Sequence, residues 1–157
     1  MILHEELLIG GTFFGGPCDS SIPKHIVHSP FDGARVGVAA EATWGEADAA
    51  IEAAVKAHLP WSRSSRSDRQ GIILACAAAL REHKAELCDL MALEIGKPVD
   101  IAAAEIDRSI LTFELAAAWL QESEWESIDV SSDPRSLGAQ VAVRHESIGP
   151  VFCITPF

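Results

Sequence analysis

None of the four cysteines, Cys18, Cys76, Cys88 and Cys153, stands in a CxxC pair. Neither a disulfide framework nor a zinc knuckle is therefore expected, and reduced thiols, two of them among alanines in helical patterns, are the reading. Basic residues are also scarce. Twelve Lys and Arg face 23 Asp and Glu for a formal charge of -11, which excludes nucleic acid and anionic membranes as partners, because phosphate surfaces reward cationic patches. The apolar stretch after Met1 is short, broken by Glu5 and Glu6, and has no cationic leader, and no apolar run approaches the roughly 20 residues of a spanning helix. A cytoplasmic, unexported chain with no membrane partner is the expectation. GxGxxG and Walker patterns are absent as well, and Gly10-Gly11 and Gly15-Gly16 read as loop or bulge glycines.

What is present is globular: 157 residues, 48% hydrophobic and 22% charged, enough for one modest core. Leu7 to Phe14 is an apolar run split by Gly10 and Gly11, and Lys24 to His28 is a candidate strand. Ser29-Pro30-Phe31-Asp32-Gly33 has turn chemistry, and Val36 and Val38 alternate with Arg35 and Gly37, which predicts a small antiparallel hairpin. Thr43 and Glu46 form a capping box ahead of a helix with Ala47, Ala50, Ile51, Ala54 and Val55 on one face, expected to end at Pro60. Ser67 and Gln70 repeat the capping pattern before Ile73, Leu74, Ala77 and Leu80. A third helix carries Leu87, Leu90, Met91 and Ile95 until Gly96 and Pro98 stop it.

The longest helix is predicted from about Val99 to Trp119, with Ile106, Ile110, Phe113, Ala117 and Leu120 spaced by fours and threes. Barely two heptads do not make a coiled coil, so this face is expected to pack against a sheet. Glu122 to Pro134 reads as a polar surface loop, and Ala139 to Glu146 as a strand with alternating Val141 and Val143. Gly149 and Pro150 then introduce the unbroken apolar run Val151 to Ile154, closed by Pro156, which reads as a strand buried on both faces of a parallel sheet. Ligands bind beyond the carboxyl ends of such strands.

The ordered set SPFDG (Ser29 to Gly33), LEIGKP (Leu93 to Pro98) and ESIGPVFCITPF (Glu146 to Phe157) resembles the NAD(P)-dependent aldehyde dehydrogenase superfamily. The resemblance covers essentially the whole chain but maps onto the amino-terminal portion of such an enzyme, ending one residue short of the asparagine that usually follows the Pro-aromatic pair. It implies an α/β fold, the leading part of an aldehyde dehydrogenase: hairpin and amphipathic helices of the cofactor-binding domain over 1–130, an oligomerisation-arm strand over 131–147, and the truncated first strand of the dinucleotide-binding sheet over 148–157.

That resemblance implies oxidation of a small aldehyde to a carboxylic acid with NAD or NADP, and a homo-oligomer. Ile154, Thr155, Pro156 and Phe157 would line the nicotinamide-ribose part of the groove; read without the family, Pro156 merely ends a strand. The family's nucleophilic thiolate, oxyanion donors and glutamate base lie beyond Phe157, so no catalytic residue is assigned and the chain alone is expected to be inactive. Cys153 sits in an apolar run, where a thiolate is disfavoured, and is not promoted.

Two further features have a plainer reading beside the functional one. Gly96 suits a left-handed helix cap and Lys97 complements the negative helix end, although some relatives hold a monovalent cation between the acidic residue at Glu94 and carbonyls such as those of Val27 or His28. His25 and His28, three apart on a strand, point to opposite faces, so no metal site is assigned. The alternative to an enzyme piece is a non-catalytic truncated relative acting as an oligomerisation or interaction module through its apolar helix faces.

Overall fold

The computed structural model describes residues 3–122 and 124–155. Its amino-terminal part is β-rich. Strand β1 (Leu3–Glu5) runs parallel to β5 (Arg35–Ala40), which pairs on its other side antiparallel with β4 (Lys24–His28) in the register Ile26 to Val38. The predicted hairpin is thus present, and its turn is closed by its own chemistry. Ser29 N–H donates to Ala34 O at 2.8 Å, Gly33 N–H to Ser29 O at 2.9 Å, and Ala34 N–H to the Asp32 carboxylate at 3.0 Å. The Ala34 and Ser29 donors hold the Asp32 carboxyl below the usual carboxylate range. The parallel β1 is an addition that its short, Glu-interrupted sequence did not signal.

Between β1 and β4 the run Leu7 to Phe14 folds back on itself as β2 (Leu7–Ile9) and β3 (Thr12–Phe14), antiparallel with Ile9 opposite Thr12. Gly10 and Gly11 take φ of 58° and 86°, the two successive left-handed positions that a tight two-residue hairpin demands and that only glycine adopts without strain.

Four helices follow. Thr43 caps α1 (Trp44–Ser62) with the full capping box: its hydroxyl accepts from Gly45 N–H at 3.3 Å while Glu46 accepts from Thr43 N–H at 3.0 Å. Pro60 does not end this helix, contrary to expectation. Lying two residues from the end, it removes one backbone donor, and the last carbonyls are taken by hydroxyls, Ser62 to Leu59 O at 3.0 Å and Ser64 to Trp61 O at 2.6 Å. The next cap also moves. Ser65, not Ser67, starts α2 (Arg66–Glu82) by accepting from Asp68 N–H at 3.0 Å, and Gln70 instead donates to Ala117 O of the fourth helix at 2.9 Å.

Helix α3 (Lys84–Ile95) ends as its sequence requires, on Gly96 at φ 69°, whose N–H returns to Ala92 O at 3.1 Å. A Cβ there would lie 3.1 Å from Pro30 Cγ, so the hairpin turn sits directly on this cap. Helix α4 (Val99–Trp119) matches its expected span. Its stripe Ala102, Ile106, Ile110 and Ala117 is buried, and the first three join Ala77 of α2 and Cys88 of α3 in one core cluster, with Leu80, Leu87 and Met91 against it. The stripe therefore packs on helices α2 and α3 rather than on a sheet.

Beyond α4, β6 (Glu126–Ile128) pairs antiparallel with β7 (Val141–Val143), Ile128 opposite Val141. The segment expected to be all loop thus supplies the partner strand of the predicted one. The run Val151 to Ile154 departs most from expectation: it carries no ladder bonds and is exposed, Phe152 by 87% and Ile154 by 83%. A strand needs neighbours to satisfy its backbone and cover its side chains, and no strand of the described residues lies beside it. Helix α1 is similarly bare, with no buried residue and Ile51, Val55 and Leu59 of its apolar face all exposed.

Candidate functional site

The carboxyl-terminal segment reaches its position across α1. Gly149 turns it at φ 109°, its N–H meets Ser147 Oγ at 3.4 Å, and Ser147 Oγ lies 3.5 Å from His58 Nδ1. Ala54, Ala57, His58 and Trp61 of α1 line a shallow cavity with Gly149, Pro150 and Val151. Of the helix face marked in the sequence only Ala54 lines this cavity, and Ile51 and Val55 stay exposed. Ile154 and Thr155 follow with exposed side chains, accessible for contact with a cofactor; Pro156 and Phe157 lie outside the described residues. The remaining walls of a dinucleotide groove are not formed by described residues.

The cysteines divide differently from the expected set of core thiols. Only Cys88 is buried, in the cluster with Ile106, while Cys18, Cys76 and Cys153 are exposed. Cys76 faces outward because Ala77, one residue on, takes the inward position on α2. Cys153 is exposed with the rest of its unpaired run. Cys88 is thus removed from solvent, and the other three thiols are open to it.

Glu94 and Val27 do come together, along one cleft of about 370 Å3 between the hairpin and α3. Its other walls include Val36, Val38, Leu87 and Leu90, with Glu5 as the second carboxylate. A hard cation takes a shell of oxygen ligands, and this mostly aliphatic lining does not offer one. The monovalent cation expected near Glu94 is accordingly not retained. His28 Nδ1 lies 3.0 Å from Gly33 O in the hairpin turn, and no group of three or more His, Cys, Asp or Glu side chains suited to a metal is found among the described residues.

The LEIGKP stretch has a structural role. The Lys97 ammonium, 16% exposed, pairs with Glu105 on the second turn of α4, tying the α3 cap to the next helix. The hydrogen bond from Lys97, aided by the charges of Lys97 and Arg108, pulls the Glu105 carboxyl below its ordinary pKa of 4.5. A depressed folded-state pKa adds stability that is fully present above the unfolded value and is lost as pH falls through the folded one. The stability difference between the native chain and Lys97→Met is therefore expected to be present at pH 7 and to shrink in acid, below about pH 4. Denaturant titrations at pH 7 and in acid check this; a difference independent of pH would refute it.

A grouping the sequence did not reveal lies at the other end of the helices. His58, Trp61, Arg63, Arg69, Trp119, Arg144 and His145 share one cleft. Its members are up to 87 residues apart, so only the fold unites them; the sole local signal was Arg63, Arg66 and Arg69 at spacings of three.

Taken together, the geometry defines an α/β piece in which a capped helical layer carries an exposed apolar segment toward one end. Comparison with known proteins places that piece. The aldehyde dehydrogenase family model matches residues 19–157, and the chain belongs to that family. It is 37% identical over 112 residues to a lactaldehyde dehydrogenase of Methanocaldococcus jannaschii, covering 71% of this chain and 23% of the relative. It is 30% identical over 159 residues to the mitochondrial succinate-semialdehyde dehydrogenase of Rattus norvegicus, covering 99% and 29%. The crystal structure of an aldehyde dehydrogenase from Physcomitrella patens with the reaction product succinate shares the fold at a TM-score of 0.80 and 23% identity, over 92% of this chain and 29% of that one. An NAD-dependent aldehyde dehydrogenase from Sinorhizobium meliloti does so at 0.74 and 26% identity, over 83% and 26%. The chain thus spans under a third of the length of these relatives, and its fold is that of their amino-terminal portion.

Proposed function

We propose that this chain is the amino-terminal portion of an NAD(P)-dependent aldehyde dehydrogenase that oxidises an aldehyde to a carboxylic acid, and that the isolated chain is inactive. The observation carrying this reading is the family match over residues 19–157 by a chain covering less than a third of its relatives. The exposed segment 151–155 supports it, since an apolar run without strand neighbours is what separation from the rest of a parallel sheet leaves behind. On this reading residues 1–130 belong to the cofactor-binding domain, 131–147 to an arm that joins subunits of a homo-oligomer, and 148–157 to the first sheet strand. The complete enzyme is cytoplasmic.

Ile154, Thr155, Pro156 and Phe157 would hold the nicotinamide-ribose half of NAD or NADP, whose chemistry when bound is acceptance of a hydride. The contribution of this chain is a platform: α1 carries the segment and Gly149 turns it. The mass of the protein isolated from its source and the reading frame past Phe157 test the proposal. A continuation carrying a cysteine nucleophile and a glutamate base is expected; a stop directly after Phe157, with a protein of 16.8 kDa, would contradict it.

The bare face of α1 favours a second reading, a non-catalytic module that covers Ile51, Val55 and Leu59 by self-association. Under it, sedimentation velocity gives a concentration-dependent oligomer. A well-folded monomer across the concentration range would count against it.

A further inference from the structure

We propose that the cleft between the end of α1, the start of α2, the end of α4 and residues 144–147 binds a small phosphate-bearing molecule with a flat apolar body. The cleft has a volume of about 580 Å3, within the range of small-molecule sites. Its charge opposes that of the chain. The cleft and the recess adjoining it hold four of the twelve cationic side chains, Arg63, Arg66, Arg69 and Arg144, against two of the 23 carboxylates, Glu124 and Glu146. In a molecule of net charge -11, such a patch concentrates small anions, while the surrounding negative surface repels a long polyanion such as nucleic acid.

The guanidinium groups are held without being used up. Arg69 donates to Ser64 O at 2.6 Å, Arg66 donates to Glu122 O, and each keeps further N–H donors from its five. Arg144 pairs with Glu146 and lies 5.1 Å over the Trp125 ring. The Arg63 backbone N–H donates to Trp61 O at the C-cap of α1, while its exposed guanidinium has no hydrogen-bond or ion-pair partner among the described residues. Planar guanidinium forks match phosphate oxygens two at a time, which a single ammonium does not. The apolar part of the ligand is set by Trp61 and Trp119, 44% and 61% exposed, the latter edge-on to His145 at 6.4 Å; such faces take a flat ring. None of the cleft residues belongs to the proposed nicotinamide segment, so the inference stands or falls separately from the dehydrogenase reading.

Isothermal titration of the chain with phenyl phosphate and with inorganic phosphate tests it. Saturable binding of phenyl phosphate is expected, tighter than that of inorganic phosphate and weakening as salt is raised. Arg63→Gln is expected to weaken it about tenfold or more, the loss of a charge-assisted hydrogen bond, with Arg63→Lys intermediate and Arg81→Gln, outside the cleft, unchanged. Far-UV circular dichroism of each variant confirms an intact fold; the Arg63 guanidinium is exposed and bonds no other group among the described residues, so no structure is expected to be lost. Absence of saturable phenyl phosphate binding, or equal affinity in Arg63→Gln, would overturn the proposal. Equal affinity for the two phosphates would overturn the apolar part of it.

Discussion

The purified chain, mixed with an aldehyde and either NAD or NADP, is expected to give no aldehyde-dependent rise in reduced cofactor. Aldehyde oxidation of this kind needs a thiolate to attack the carbonyl carbon, donors for the oxyanion that forms, a base for hydrolysis of the acyl intermediate, and a nicotinamide held where the hydride leaves. Of the four cysteines, Cys88 is sealed in the helical core and the other three are exposed with no histidine bonded to them among the described residues. Of the proposed cofactor residues, Ile154 and Thr155 stand on an open segment without opposing walls. Each missing part alone removes orders of magnitude in rate: losing one oxyanion donor costs about a hundredfold or more. Turnover above background that is abolished by a thiol-blocking reagent would refute this, and would mean that one of the exposed cysteines is activated.

The second large effect concerns the core. Ile106→Ala is expected to destabilise the chain by about 2 to 5 kcal/mol, the range for a buried aliphatic cut to alanine. Ile106 is 5% exposed at the meeting of α2, α3 and α4, in one cluster with Ala77, Cys88, Ala102 and Ile110 and with Leu80, Leu87 and Met91 packed against it, so truncation removes contacts to all three helices. Few positions are buried among the described residues, and margins of folding are only about 5 to 15 kcal/mol, so this single change is expected to remove a large share of the margin. Leu111→Ala, five residues on but exposed on the same helix, serves as the comparison and is expected to move stability by under about 0.5 kcal/mol. Chemical denaturation of the two variants checks the pair; similar losses would mean that α4 does not pack by the face assigned to it.

The parts legible in the sequence were those set by local chemistry. The capping box at Thr43 and Glu46, the left-handed stop at Gly96 and the turn around Asp32 each depend on residues within a few positions of one another. The span of α4 follows from its own periodicity. Where two local signals competed, tertiary contact decided: Gln70 would complete a cap behind Ser67, but it bonds Ala117 O, and Ser65 caps the helix instead. Non-local pairings were not legible. Nothing in Leu3–Glu5 announces a parallel partner at Gly37 to Ala39, and nothing in Glu126–Ile128 announces Val141–Val143.

The candidate site shows the same division. That Val151 to Ile154 is apolar and bounded by Gly149 and Pro156 is a property of the sequence, and the family match follows from it and the other motifs. Whether that run is covered depends on neighbouring strands, and no strand of the described residues lies beside it, so its exposure was not readable. The basic and aromatic cleft was missed because His58, Arg69, Trp119 and Arg144 become neighbours only when the end of α1, the start of α2 and the end of α4 converge.

The measurement that bears most directly on the account is amide hydrogen exchange of residues 151–155, in this chain alone and in the same chain carried within a complete aldehyde dehydrogenase. The account predicts rapid exchange in the isolated chain, where the segment has no ladder bonds, and strong protection in the complete enzyme, where neighbouring strands take up those amides. Protection already present in the isolated chain, or rapid exchange in both, would contradict it.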